Sequence, residues 1–499
     1  MTRTLITRVV ALCATVAIAA AGVPAASAHT WVPIPPGPAD LFVPRFEGAP
    51  AVANPVASRP IPEHPYLADN GSNSMHNDAY ASDAYAHSGP LGEDPRINSA
   101  TYGIEECATM AFDRAGRIVA LCGGLEGSRL MLLDPESLAV LGAHPLPPRQ
   151  LNPEKSPLED ICAGAYFYLD HRDRAVIATT NAQIWVVGQQ DGPPGFALER
   201  TYDLGEHIPD GDCLVAQLPD WSGHIWFVTQ GGGVGTVDPE SGDVRSIRLS
   251  GEQIVNSFAV DETGGVFIVS THALYRFDRG PDGEPRVTWR EEYDRGSRHK
   301  PGQLSQGSGT TPTLVGDDLV VITDNADPRM HVIAYHRTAK DRPRRRVCAV
   351  PVFEEGTSAT ENSIVAAGRS VIVENNYGYT SPLSTMFGGS TAPGIARVEF
   401  SRSGCATRWT SDEIAPTNVP KASLANGLLY VYTKPEGVRA DPWYFTAIDI
   451  HTGRTVWKRL GGTGLLWNNH YASIYLGPDG AAYLATLAGV MRVTDSDSS

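Results

Sequence analysis

"HIWFVTQGGGVGTVDPESGDV", His224 to Val244, decides the fold. Ile225 to Thr229 is a short run of β-branched and aromatic residues. It is bounded by three glycines, and a second apolar run ends in the acidic turn Asp238-Pro239-Glu240-Ser241-Gly242. Runs this short between glycine and acidic turns read as two antiparallel strands, not as a helix. One hairpin cannot bury its own faces, so the rest of its sheet must come from neighbouring sequence.

Moving outward, the same texture recurs. Apolar second strands read "RIVALCGG", "AVIATT", "GVFIVST", "LVVITDN", "SVIVENN", "LLYVYTK" and "AAYLATL". Each follows a turn such as "DRAG", "DETG" or "GPDG". The unit repeats roughly every 40–50 residues, the period of propeller blades. Eight units start near residues 106, 162, 213, 254, 310, 361, 421 and 470. The expected fold is therefore all-β: a single closed β-propeller of eight blades, with seven as the competing count. A sandwich or solenoid would not keep one unit length for so long. The last unit ends after three strands at "VMRVTDSDSS", so its outer strand is expected from Ile97 to Glu105, joining the ends of the ring.

Residues 1–28 read as a secretory signal peptide. Arg3 and Arg8 precede an apolar run from Val9 to Val23, and Ala26-Ser27-Ala28 fits a cleavage signal. Residues 29–96 form an extended arm rich in Pro and Asn, and 97–499 the propeller. Without the signal, 38 Lys and Arg face 56 Asp and Glu. That balance argues against nucleic acid and anionic membranes as partners. "RPRRR", Arg342 to Arg346, is the one dense basic run and reads as a solvated hairpin tip. No later stretch reaches the ~18 apolar residues of a membrane span. The expectation is a secreted, monomeric protein.

Cys13 leaves with the signal. The remaining six, Cys107, Cys122, Cys162, Cys213, Cys348 and Cys405, suit disulfides in an exported chain. Sequence alone permits fifteen pairings. The repeat suggests Cys107–Cys122 within a blade, and Cys162–Cys213 and Cys348–Cys405 between consecutive blades.

"TAIDIHTGRTVWKR", Thr446 to Arg459, resembles the repeat of the quinoprotein-like (PQQ-like) propeller superfamily through Ala447, Asp449, Thr452, Gly453 and Trp457. The resemblance implies a third strand, a tight Thr-Gly turn and a Trp docked between blades. Members that use pyrroloquinoline quinone carry a vicinal disulfide, calcium ligands and a catalytic Asp. This sequence has no Cys-Cys pair, so the resemblance speaks for the fold.

Inner strands line the channel of a propeller, and the loops feeding them form its mouth. Glu105, Glu106, Asp160, Asp212, Glu361, Lys421 and His470 stand at such starts. They converge on a ligand, or else they satisfy strand-end backbone and channel water. Asp324, Asn325, Asp327, Glu374, Asn375, Asn376 and Tyr377 make a second polar set, with Glu361, Asn362 and Asn469 as further binding candidates. It suits sugar hydroxyls or an oxygen-seeking cation, with Asp324 and Glu361 as Ca²⁺ ligands; the alternative is turn architecture. In the arm, "SMHNDAYASDAY" offers His76, Asp78, Tyr80 and Asp83. An arm crossing the mouth would bring His76 and Asp78 beside His470. His76 and His470 would then act as acid or base, and Tyr80 or Tyr471 as proton donor. Asp78, Asp83, Lys421 and Asn469 would bind. The function expected is binding, with lyase- or hydrolase-type cleavage, of an extracellular glycan or other polar small molecule. A quinone-dependent dehydrogenase and a non-catalytic interaction scaffold are the alternatives. No cofactor is named by the residues; Ca²⁺ comes first among candidates and the quinone behind it.

Overall fold

A computed structural model describes residues 32–124, 127–148, 166–190, 192–402 and 404–496. Among these the only helical pieces are 3₁₀ turns: Asp40–Phe42, Gly205–His207, Pro382–Thr385 and Leu465–Trp467. Everything else regular is strand, in eight sheets. The segment that opened the sequence reading forms Ile225–Thr229 and Gly233–Val237, central strands of blade 3. They pair antiparallel through Val228 and Val234.

The inner strands of blades 1 to 8 are Glu105–Phe112, Phe167–Leu169, Leu214–Pro219, Ala259–Val260, Thr313–Val315, Val365–Ala367, Lys421–Ser423 and Ile474–Leu476. Blade count and unit starts match the repeat. Blade 8 is completed by Arg96–Thr101, which pairs antiparallel with Gly489–Thr494. The chain's two ends thus meet in one sheet. Blade 7 gains two further arm strands: Phe46–Gly48 on its outer edge, and Ala84–Tyr85, parallel to its inner strand.

Inner and middle strands are buried on both faces, so their sequences run continuously apolar, without alternation. Blade interfaces carry the core. One cluster joins blades 1 and 2, another spans blades 2 to 4, and others join 4 with 5, 5 with 6, 6 with 7, 7 with 8, and 8 with 1. A chain of interfaces that returns to its start is a closed ring. Aromatic clasps reinforce it. Trp409 Nε1, on the outer strand of blade 6, donates to Ile450 O of blade 7 at 2.8 Å. Trp289 Nε1 of blade 4 does the same to Thr338 O of blade 5 at 3.1 Å. Gly453 lies so close to the Trp409 ring that a Cβ would sit 2.5 Å from it. Trp457 is enclosed among residues of blades 7 and 8.

Two disulfides match the expected pairs. Cys107–Cys122 links directly opposed residues on adjacent strands of blade 1. Cys348–Cys405 joins the outer strands of blades 5 and 6. Cys213 is disulfide-bonded too, whereas Cys162 lies outside the described residues. So do residues 1–28, the expected signal peptide, and Asp160. The basic run departs from expectation at Arg345, which is buried. Its guanidinium donates to the carbonyls of His336, Thr338 and Lys340, and lies over the Trp289 ring.

Candidate functional site

The arm settles in the channel and runs beside the inner strands, reaching Thr311, Ser363 and Lys421 near their starts. Carbonyls of the arm accept hydrogen bonds from amides of successive inner strands. Phe112 N donates to Ser72 O, Leu169 N to Asn73 O, Val260 N to Ala79 O, Leu314 N to Tyr80 O, Ala366 N to Ser82 O and Ala422 N to Asp83 O. Blades 1, 2, 4, 5, 6 and 7 are served in turn. Inner-strand amides facing a channel need acceptors, and here an irregular segment supplies them. Residues 73–85 are buried throughout.

This plug carries a charged knot. Lys421, fully buried, donates to Met75 O at 2.5 Å, to Asn77 Oδ1 at 3.3 Å and to the Asp83 carboxylate. Burial pushes its ammonium below the usual lysine range, against the opposing charge of Asp83. His76 Nδ1 lies 3.2 Å from Asp83 Oδ2, and Nε2 lies 3.2 Å from Thr311 Oγ1. His76 Nδ1 also lies 3.3 Å from Ser363 Oγ. A void of about 10 Å³, room for one water, adjoins His76 between Tyr166 and Gln217. Asp78 accepts from Tyr80 N at 2.9 Å and from the Ser82 hydroxyl, and burial raises its pKa to about 7.

Above the plug, at the starts of the inner strands, lies the mouth. Glu361 is 7 % exposed. Its Oε2 accepts from Leu304 N at 2.9 Å while Oε1 has no partner. Burial raises its pKa to about 8, opposed by the Leu304 amide and by the nearby Asn256 side chain, which makes no hydrogen bond of good geometry to it. Next to it, Asn362 Nδ2 donates to Glu374 Oε1 at 2.5 Å, leaving Glu374 Oε2 and Asn362 Oδ1 without partners. Burial holds Glu374 and Glu106 well above the usual carboxyl range. Tyr379, Tyr471 and His470 complete the mouth. Tyr379 OH is 2.9 Å from His470 Nδ1. The Tyr379 and Tyr471 rings meet edge-on at 5.3 Å, and Tyr471 OH donates to Gly302 O at 3.1 Å. A carboxyl kept neutral by burial can donate a proton or a hydrogen bond at neutral pH.

The expected residues therefore divide. His470, Tyr471 and Glu361 meet at the mouth. His76, Asp83 and Lys421 meet in the plug, where His76 Nδ1 also lies 3.3 Å from Ser363 Oγ, two residues from Glu361. The arm runs where inner-strand amides facing the channel lack other acceptors. Tyr80 points away from His76: its hydroxyl donates to Glu262 at 2.5 Å and accepts from Arg337 Nη2 at 3.0 Å. The asparagines largely serve backbone. Asn325 Nδ2 holds Arg295 O and Arg298 O, and Asn375 Nδ2 holds Thr357 O and Pro393 O. Asn376 Oδ1 accepts from Glu361 N at 2.7 Å, and Asn469 lies between Thr417 and Ala472. Asp324 accepts from His331 Nδ1 at 2.9 Å and shares no partner with Glu361. Among the described residues no group of three or more His, Cys, Asp or Glu gathers as a metal-ligand set. Sequence reasoning missed Tyr379, Tyr166 and the 300–308 segment. The signal for the last was "KPGQLSQGS", a Gly/Ser/Gln-rich stretch with a single charge, Lys300, in an unusually long blade connection.

No family model matches the chain. An uncharacterised protein of Archaeoglobus fulgidus is 30% identical over 371 residues, covering 67% of this chain and 71% of its own length. Among solved structures, a streptogramin B lyase aligns at TM-score 0.43 with 10% identity, over 80% of this chain and 97% of its own. A chain of a mitotic checkpoint complex aligns at 0.39 with 12% identity, over 65% and 86%. A functionally unknown protein from Desulfotomaculum acetoxidans aligns at 0.39 with 12% identity, over 67% and 94%.

Proposed function

Given that this chain belongs to the same family as the Archaeoglobus fulgidus protein, we propose that it binds a neutral, hydroxyl-rich small molecule or glycan at the channel mouth. Glu361 acts there as proton donor. The observation that carries the reading is the Glu361 carboxyl. It is enclosed and retains its proton at neutral pH, and its Oε1 has no partner. Buried polar atoms left unsatisfied call for a ligand or water. Tyr379, Tyr471 and His470 supply aromatic faces and further hydrogen-bonding groups beside it. A neutral acid next to an imidazole suits protonation of a leaving oxygen in lyase- or hydrolase-type cleavage. Disulfides are in keeping with an exported chain. The enclosure of Trp457 between blades and the Gly453 turn support placing the repeat with quinoprotein-like propellers.

Calorimetric titration of the intact protein with neutral mono- and oligosaccharides at pH 6.5 tests the reading. Micromolar to low-millimolar binding, weakened about tenfold by Glu361→Gln or Tyr379→Phe, a loss of ~1.4 kcal/mol, is expected. Binding that neither substitution alters would overturn it.

A further inference from the structure

The connection from blade 4 to blade 5 is not a simple turn. Its first part is pinned. Asn325 holds two of its carbonyls, and the buried Lys300 ammonium donates to Ala326 O at 2.7 Å. Its last part is pinned as well, with Ser308 N donating to Tyr293 OH at 3.0 Å. Between these anchors residues 302–308 lie over the loops that open blade 6, and the Tyr471 side chain of blade 8 reaches across to them. Gly302 has φ +105° and lies against Asn376 O, where a Cβ would be 2.3 Å away. Gly309, at φ +69°, abuts Thr360 O at 1.9 Å from its would-be Cβ. Two bonds tie this segment to the mouth: Leu304 N to Glu361 Oε2, and Tyr471 OH to Gly302 O. Both engage the groups assigned above to the ligand. Ser305 Oγ, like Glu361 Oε1, is buried without a partner.

We infer that residues 302–308 form a flap that lifts to admit the ligand, and that the space it opens is blind. The arm fills the channel with hydrogen bonds to six inner strands. A blind space receives a small molecule or the terminal unit of a chain, never the interior of a polymer. When the flap lifts, Glu361 Oε2 and Gly302 O are released together, and ligand hydroxyls replace the flap's bonds to Glu361 and Tyr471. This rests on the reading of the mouth as the binding site, and the experiment separates the two.

Hydrogen exchange of the intact, ligand-free protein measures the flap directly. The Leu304 amide is expected to exchange at least 100-fold faster than that of Leu314, which is bonded to Tyr80 O inside the ring. Equal protection of the two overturns the flap, whatever the ligand. Titration with linear maltotriose and cyclic α-cyclodextrin, which has no chain ends, tests whether that space is blind. Preference for the linear glycan, with slowed Leu304 exchange in its presence, is expected. Equal binding of the cyclic glycan overturns end-on access. If no saccharide binds, the glycan reading fails and the exchange result still decides the flap.

Discussion

Burial shifts the protonation of Glu361 and of Lys421 in opposite senses. Folding raises the Glu361 pKa from 4.5 to about 8. Across that window the native chain keeps a proton that the unfolded chain has released. Stability from this group is therefore greatest below about pH 4.5 and falls toward pH 8, by up to about 1.4 kcal/mol per pH unit. Asp78, raised to about 7, adds a slope of the same sign. Urea melts of wild type and Glu361→Gln should agree near pH 4.5. They should diverge as pH rises, with the amide variant the more stable at pH 9; parallel curves refute the assignment. Lys421 is a different case, because its charge is matched by Asp83. Lys421→Met strands a buried carboxylate beside His76 and should cost about 3–5 kcal/mol. Adding Asp83→Asn should return a good part of that loss in the same melt.

At the scale of elements, the arm behaves as a ninth structural member without a sheet of its own. A chain starting at Arg96 keeps the strand that closes blade 8, yet loses the acceptors for six inner-strand amides. Each unmet buried amide costs about 1–3 kcal/mol, and together they match or exceed a typical domain's stability. We expect that truncation to yield insoluble protein, and soluble, cooperatively melting material would contradict it. The blades themselves were legible because a propeller repeats one hairpin chemistry, so "HIWFVTQ" and "LLYVYTK" announce the same strand. The closing strand was legible because a three-stranded last unit leaves an edge to fill. The arm's destination was not. "SMHNDAYASDAY" has the polar, aromatic content of a binding segment, and its real task, meeting backbone amides through its own carbonyls, leaves no trace in side-chain chemistry. The asparagine pairs misled in a related way, since an amide that satisfies backbone looks in sequence like one that awaits a sugar. Tyr379 and the flap were hidden because their positions follow from loops folding over the ring.

For the whole molecule, closure is distributed: the blade interfaces share the core, and the outer rim is clasped by aromatics. Cys348–Cys405 ties blade 5 to blade 6 across a sequence separation of 57. Replacing both cysteines by serine should lower stability by roughly 4 kcal/mol on the loop-entropy view, readable as a lower urea midpoint with unchanged slope. A change in slope would instead mean that the ring opens at that seam.

The order of synthesis gives the buried arm a further meaning. Residues 73–85 leave the ribosome before any blade, yet they end on the axis with later sheets gathered about them. They serve as a mandrel on which the ring is wound, and the ring shuts only when the final strand, Gly489–Thr494, finds Arg96–Thr101. Such a chain cannot mature blade by blade as it emerges, and its assembly waits on its last residues. Fusions ahead of residue 32 should be tolerated far better than cuts between the mandrel and the blades.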